Sequence, residues 1–551
     1  MTVCKRGITV VHALGGDVSI TDTGNRNVQG LLNAYRSGGI SRRTLVKGLT
    51  ALGLGVPLAS ALATGRASAR QATPSTRESS GELTVVLPRS LVSLDPHGAQ
   101  SVEEATAVVS SHVFDTLVAR DPATGELIPR LALSWQPLDD ATWEFKLRSG
   151  VTHHDGSPFT AADVKTSLER VKTLEGPLAP LWAQVSNVET PDDLTVHFIT
   201  TGPQGTVPAS ASLLFIAPAA LANNEGFFDE PVGMGSYRFV SWTRDSELRL
   251  EANPDFWGGA PGVQTLVFRD IPEVAARVTA LETGEIDFTY ALPADQLPVL
   301  QENADLAIAS TPSYAYYFNW FNNSREPFTD VRVRQAMAYA LDVDTMVNDL
   351  LQGVGARAQA PIPSTVFGFA PQTPYDYDPE RATALLAEAG LEGGFETHVI
   401  WVPGSGPQDR ELIQTMISNW AAIGVTVESR EMERAAWLEA LLALDWDMDF
   451  QTNTVRTGDA DFTLRRLYTS SANRLGYANS DLDQILVDAA AVTDQAQRQE
   501  LYAQACQIIW DDAAGIFPFD LIENYVHRTG ISGFVPAPSV VPTFEAVTVE
   551  E

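Results

Sequence analysis

Leu147-Arg148-Ser149-Gly150-Val151-Thr152-His153-His154-Asp155-Gly156-Ser157-Pro158-Phe159-Thr160-Ala161-Ala162-Asp163-Val164 packs a strand end, a turn and a helix start into one stretch. Upstream, Trp143-Glu144-Phe145-Lys146-Leu147 alternates apolar and polar residues, as a half-exposed strand does. Asp155-Gly156 marks a turn. Thr160 is placed to cap a helix, with Asp163 at the reciprocal position. His153 and His154 invite a metal reading, but adjacent side chains on a strand point to opposite faces. A metal there would need ligands from elsewhere, and none is expected.

Outward from this stretch, strands and helices intermingle. Glu82–Pro88 reads as a short buried strand, residues 102–119 as a helix, and Asp192–Phe198 and Thr265–Arg269 as strands. Glu273–Thr283 is a helix closed by Gly284, and Tyr314–Phe321 an aromatic strand. Val331–Leu351 reads as one long helix ended by Gly353. Asp378-Pro379-Glu380 opens another, with a cap, proline at the first position and an acid beside the dipole. Glu411–Ile423, the strand Val425–Val427 and one or two helices over 481–512 complete an α/β chain without repeats.

The length of 551 residues allows several domains with sizeable cores. Thirty-seven Lys and Arg face 69 Asp and Glu, a net charge of −32, which repels phosphate backbones and excludes nucleic acid as an expected partner. Two cysteines, Cys4 and Cys506, exclude a four-thiolate zinc site and a disulfide framework. Cys506 sits in a helical, apolar neighbourhood that points to packing. No GxSxG, HExxH or Gly-Lys phosphate-loop signature occurs, so neither an enzyme nor a cofactor is expected.

Residues 1–69 read as a leader. Ser41-Arg42-Arg43-Thr44-Leu45-Val46-Lys47 precedes an apolar run, Gly48–Ala63, followed by the small-residue sites Ala61-Leu62-Ala63 and Ala67-Ser68-Ala69. The run is shorter than the ~20 residues that span a bilayer. Paired arginines directly before it resemble a twin-arginine export signal. Residues 1–40 are an awkward extension in front, which suggests a start nearer Ser41. Cutting after Ala69 takes the basic side chains from 37 to 29 and the acidic from 69 to 67, for a net of −38. Residues 70–81 read as a linker.

Several segments, in order, resemble the family 5 extracellular solute-binding proteins of ABC importers. They are Ser93-Leu94-Asp95-Pro96, Val113–Val118, Leu147–Val164, Val232-Gly233-Met234-Gly235-Ser236-Tyr237, Asn253–Gly259, and Asn322 with Pro327–Ala336. Leu147–Val164 is the most specific. The resemblance implies the two-lobe periplasmic-binding-protein fold of type II. Residues 82–308 would form lobe I with an inserted subdomain, 309–515 lobe II, and 516–551 a return to lobe I. A hinge would close the lobes on a solute, which a membrane permease pair then receives. The expected protein is an exported, extracytoplasmic monomer that captures an oligopeptide or similar polar solute. Oligosaccharide, nickel or opine-type solutes, a sensory role and, further off, a secreted metalloenzyme are the alternatives.

The resemblance also nominates ligand residues. Thr457-Gly458-Asp459-Ala460-Asp461 matches the segment whose aspartate pairs a peptide ammonium, which makes Asp459 the leading candidate and Asp461 its substitute, with Arg456 close by. Tyr316, Tyr317 and Trp320 lie on the aromatic strand at the expected crossing. Trp401 and Gln408 belong to the Gly/Pro-rich loop 401–410, and His97 to the first loop.

Overall fold

The computed structural model describes residues 8–12, 18–22 and 80–550. Ile8–His12 and Val18–Asp22 pair antiparallel within a unit of their own, Met1–Thr73. The twin-arginine motif, the cleavage site and most of the linker lie outside the described residues. Everything below concerns the unit Pro74–Glu551.

Its frame is an eleven-stranded mixed sheet. One half is built from Tyr237–Thr243, Glu247–Ala252, Val263–Arg269, Ser80–Val86 and Phe288–Tyr290, in that spatial order. The other half runs through Met448–Thr454, Phe395–Trp401 and Val425–Glu431. Two long antiparallel strands, Leu306–Phe321 and Gly515–Arg528, join the halves, and the eleventh strand, Gly355–Arg357, pairs with the second of them. Their register slips between Pro312 and Tyr316. Pro312 has no N–H to give to a ladder. Ser313 bridges the break, its hydroxyl donating to the Leu521 carbonyl at 3.0 Å and accepting from the Ala315 N–H at 3.1 Å. The slip therefore sits where the chain passes from one half to the other.

A separate antiparallel sheet, Ala132–Asp139, Thr142–Leu147, Thr195–Thr200 and Val185–Asp192, forms a small subdomain with its own core under helix Ala161–Leu174. The opening stretch builds its edge. Thr160 and Asp163 form the expected capping box. His154 donates its backbone N–H to the Gly233 carbonyl at 2.8 Å, so the His-His-Asp-Gly turn docks on the Gly233–Gly235 segment. A side chain on Gly233 would stand 1.8 Å from the Val113 carbonyl, and one on Gly235 2.2 Å from that of His112. Two distant sequence motifs are thus one contact, and burial moves the His154 pKa down to about 4.

Three expectations need correction or refinement. Residues 102–119 are not one helix: Glu104–Val113 is helical, and Asp115–Thr116 and Val118–Arg120 are strands. Phe114 is extended, and the Asp115 carboxylate captures the Thr116 N–H at 2.7 Å. Val331–Leu351 breaks after Val331–Tyr339, because Asp342 turns its carboxylate onto the Thr345 N–H and starts Val343–Met346 afresh. Residues 481–512 are two helices, Ser480–Ala491 and Gln495–Asp511. Cys506 is fully buried in the second, where burial pushes its thiol up to about 12. Among the described residues no helix is long and apolar enough to cross a membrane.

Candidate functional site

A cavity of about 310 Å³ opens between Ser101–Arg130, Leu178, Ser212–Phe215 and Val535–Glu545 on one side and Tyr314 and Arg456 on the other. Helix Glu104–Val113 presents Ala107 and Ser111 to it. The short strands after that helix supply Asp115 and Arg120. A larger hollow of about 700 Å³ lies near Asp95 and Phe228, and both arginines that line it are paired, Arg170 with Asp95 and Arg244 with Asp229.

The charges around the smaller cavity divide into satisfied and unsatisfied. Arg130 donates to Asp115 at 2.9 Å and to both oxygens of Glu545 at 3.0 and 2.7 Å. Trp257 donates its indole N–H to Asp115 at 2.8 Å. Those three charges satisfy one another. Arg120 spans the mouth. Its Nη1 donates to the Gly125 carbonyl at 2.6 Å, its Nε to the Thr457 carbonyl, and Nη2 lies 3.9 Å from Asp459. A side chain on Gly458 (φ +60°) would stand 2.6 Å from Arg120 and 2.9 Å from Tyr314, so glycine is what lets these parts meet. A second bridge forms where the Gly205 N–H donates to the Ala490 carbonyl at 2.6 Å. Arg456 differs from all of these. Its guanidinium lines the cavity and takes part in none of the side-chain hydrogen bonds or ion pairs among the described residues. Burial lowers its pKa, and the charges of Glu104 and Glu103 oppose that.

Of the nine nominated residues, only Arg456 lines this cavity. Asp459 is 2% exposed and fully engaged. Arg498 clamps it with two hydrogen bonds of 2.9 and 3.0 Å, and its Oδ1 also accepts the Asp461 N–H at 3.1 Å as the cap of helix Ala460–Tyr468. Burial works against the Arg498 charge, and Asp459 overrides it, holding the guanidinium above its ordinary pKa. The Asp459 Oδ1 accepts two hydrogen bonds and its Oδ2 one, with Arg120 Nη2 3.9 Å from Oδ2, so two guanidinium groups already face the carboxylate. Asp461 is buried and pairs with Arg465 at 3.0 Å. Tyr316, Tyr317 and Trp320 are each at most 2% exposed, on a strand packed from both sides. The Tyr317 hydroxyl donates to the Pro407 carbonyl at 2.9 Å, and the Trp320 indole to the Tyr468 hydroxyl at 3.0 Å. Trp401 is buried and donates to Ser429 at 3.0 Å. Gln408 takes φ +56° to precede helix Asp409–Ala422. His97 is fully buried, its Nε2 2.7 Å from the Phe215 carbonyl, and burial drops its pKa to about 4.

Sequence reasoning passed over Arg120, Tyr314 and Arg498. Tyr314 begins the nominated strand and, though buried, lines the cavity beside the slip at Pro312. Nothing local marks Arg120 or Arg498, which meet the Thr457–Asp459 loop from 337 and 39 positions away.

The chain belongs to the bacterial extracellular solute-binding proteins, family 5, whose profile matches residues 126–474. It is 30% identical to the glutathione-binding protein of Pectobacterium atrosepticum, over 85% of this chain and 94% of that one. It is 28% identical to the dipeptide-binding protein of Escherichia coli K12, over 80% and 89%. The fold matches an ABC transporter substrate binding protein from Listeria monocytogenes with a TM-score of 0.78 at 22% identity, over 86% of this chain and 100% of that one. The chain is therefore a two-lobe, extracytoplasmic solute-binding protein of an ABC importer, and a binding protein, not an enzyme.

Proposed function

We propose that this protein captures a small peptide in the cavity beside Arg456 and holds the peptide's carboxylate on that guanidinium. The single observation that carries the reading is Arg456 itself: a partly buried cation, lining a cavity, without a side-chain hydrogen bond or ion pair among the described residues. A buried guanidinium matches a carboxylate with two parallel hydrogen bonds in a site where water screens little. The relatives' names, glutathione-binding and dipeptide-binding, agree with that chemistry. The volume lies at the low end of small-molecule sites, roughly 300–1,000 Å³, which favours short peptides.

Export by the twin-arginine route precedes capture. Lobe I comprises 82–308 and 516–551, and lobe II 309–515. The protein works as a monomer and delivers its solute to the permease. Closing the lobes seats Arg120 on Thr457 and Gly205 on Ala490, and solute favours that state only through contacts made better there. A thermal-shift screen of the mature protein checks this. Reduced glutathione or dipeptides at 100 times their dissociation constant should stabilise the fold by about 2.7 kcal/mol. A shift with oligosaccharides and none with peptides overturns the reading.

A further inference from the structure

The geometry points to His112 as a positioning residue that fastens Val535–Glu545 as one wall of the solute cavity, through a hydrogen bond that only the neutral imidazole can accept. That the cavity takes a peptide is the reading proposed above, and the wall's effect on solute rests on it. The fastening itself does not.

Val535, Pro538 and Val541 line the cavity together with Leu213 and Phe215. His112 lines no part of it, but follows Ser111, which does, in helix Glu104–Val113. The His112 Nδ1 lies 2.7 Å from the Val108 carbonyl of the same helix. A carbonyl only accepts, so Nδ1 carries the proton and Nε2 is left as an acceptor. The Phe544 backbone N–H donates to that Nε2 at 3.2 Å, from 432 positions away. The two rings stack, with centroids 5.3 Å apart. Glu545, next in the chain, then reaches both terminal nitrogens of Arg130.

The segment is tied again further back. The Tyr525 hydroxyl donates to the Ala537 carbonyl at 2.7 Å, and the Tyr314 N–H to that of Pro538 at 2.8 Å. Between the ties Val540 takes φ +60°, a conformation that is costly for a β-branched residue and persists only where its surroundings hold it. His112 is fully buried. The titratable groups facing it are Tyr237, from strand Tyr237–Thr243, and Glu545, which Arg130 already pairs; Phe268 and Phe544 are its other ring neighbours. Burial drops its pKa to about 4. A proton on Nε2 would turn the acceptor into a donor facing the Phe544 N–H. The fastened state is therefore complete above pH 6.5 and weakens as pH falls toward 4.

Hydrogen exchange read by mass spectrometry on the full mature chain tests the fastening without any solute. His112→Phe keeps a ring and removes the acceptor, and should speed exchange over 535–545 by about tenfold. His112→Gln keeps a donor and an acceptor that do not titrate, and should restore most of that protection. In wild type, exchange over 535–545, corrected for intrinsic rates, should rise about tenfold from pH 7 to pH 5, and in His112→Gln it should stay flat. Unchanged exchange in His112→Phe overturns the proposal, and so does an equal pH response in wild type and His112→Gln, which decides the matter should His112→Phe not fold. Calorimetry with alanyl-leucine and alanyl-glycine then reads the wall. Because the wall is apolar, His112→Phe should weaken alanyl-leucine by about tenfold and alanyl-glycine by about threefold or less. Equal losses overturn the wall's contact with solute. Failure of folded wild type to bind either probe overturns the peptide reading, while exchange still decides the role of His112.

Discussion

Asp459 and Arg456 stand three residues apart on one loop and meet opposite fates. Asp459 caps the helix that follows it, is clamped by Arg498 and is approached by Arg120. Arg456 borders a cavity, and its guanidinium makes no side-chain hydrogen bond or ion pair among the described residues. Both are charges on the same loop, so the presence of charge does not separate them. The difference is saturation. The Asp459 carboxylate has its counter-charge inside the protein, whereas on the reading proposed above Arg456 takes its counter-charge from the solute.

The comparison breaks most readily at Arg498. Arg498→Met leaves Asp459 buried without its counter-charge, which should cost about 3–5 kcal/mol of stability in urea unfolding. A loss below about 1 kcal/mol would show that Asp459 is not held as described. Gly458→Ala tests the seam between the two residues. A methyl at φ +60°, directed at Arg120 and Tyr314, should cost about 1–2 kcal/mol and weaken solute binding by opening the Arg120 contact. Unchanged affinity would remove Arg120 from closure.

A smaller effect sharpens the same distinction on the crossing strand. Asp520 is paired across from Tyr316, its Oδ1 has no hydrogen-bond partner, and burial pushes its pKa up to about 7. A raised carboxyl stabilises the fold below the ordinary carboxylate range and loses that contribution as pH rises through about 7. The lowered histidines, His97, His112 and His154 at about 4, act on the other side, where stability falls as pH drops from 6.5 toward 4. Between pH 6.5 and 8 the carboxyl slope therefore stands apart from theirs. Asp520→Asn should reduce the stability lost from pH 6.5 to 8 by about 1 kcal/mol, read from denaturant midpoints. An identical slope in both proteins would contradict the burial argument.

The fold was legible because its evidence is local. Thr160 and Asp163 cap a helix through residues three apart, and the Asp378-Pro379 start and the Gly284 stop are equally short-range. The errors are local signals overruled by competing ones, such as the Asp342 carboxylate that breaks a periodic helix. The site was mostly not legible. Alternation on Tyr314–Phe321 implies one free face, but cores pack against both faces of that strand. Matching a motif located Asp459, but its partner Arg498 arrives from another helix, and no spacing rule reveals that Asp459 is already occupied.

On the reading proposed above, Arg456 and not Asp459 holds the solute. The most direct test of that reading is calorimetric affinity for one peptide that wild type binds, measured on Arg456→Gln and Asp459→Asn, each confirmed folded. The account predicts at least a tenfold loss, about 1.4 kcal/mol, for Arg456→Gln, and a loss of stability with less than threefold change in affinity for Asp459→Asn. Unchanged affinity in Arg456→Gln beside a tenfold loss in Asp459→Asn would contradict it.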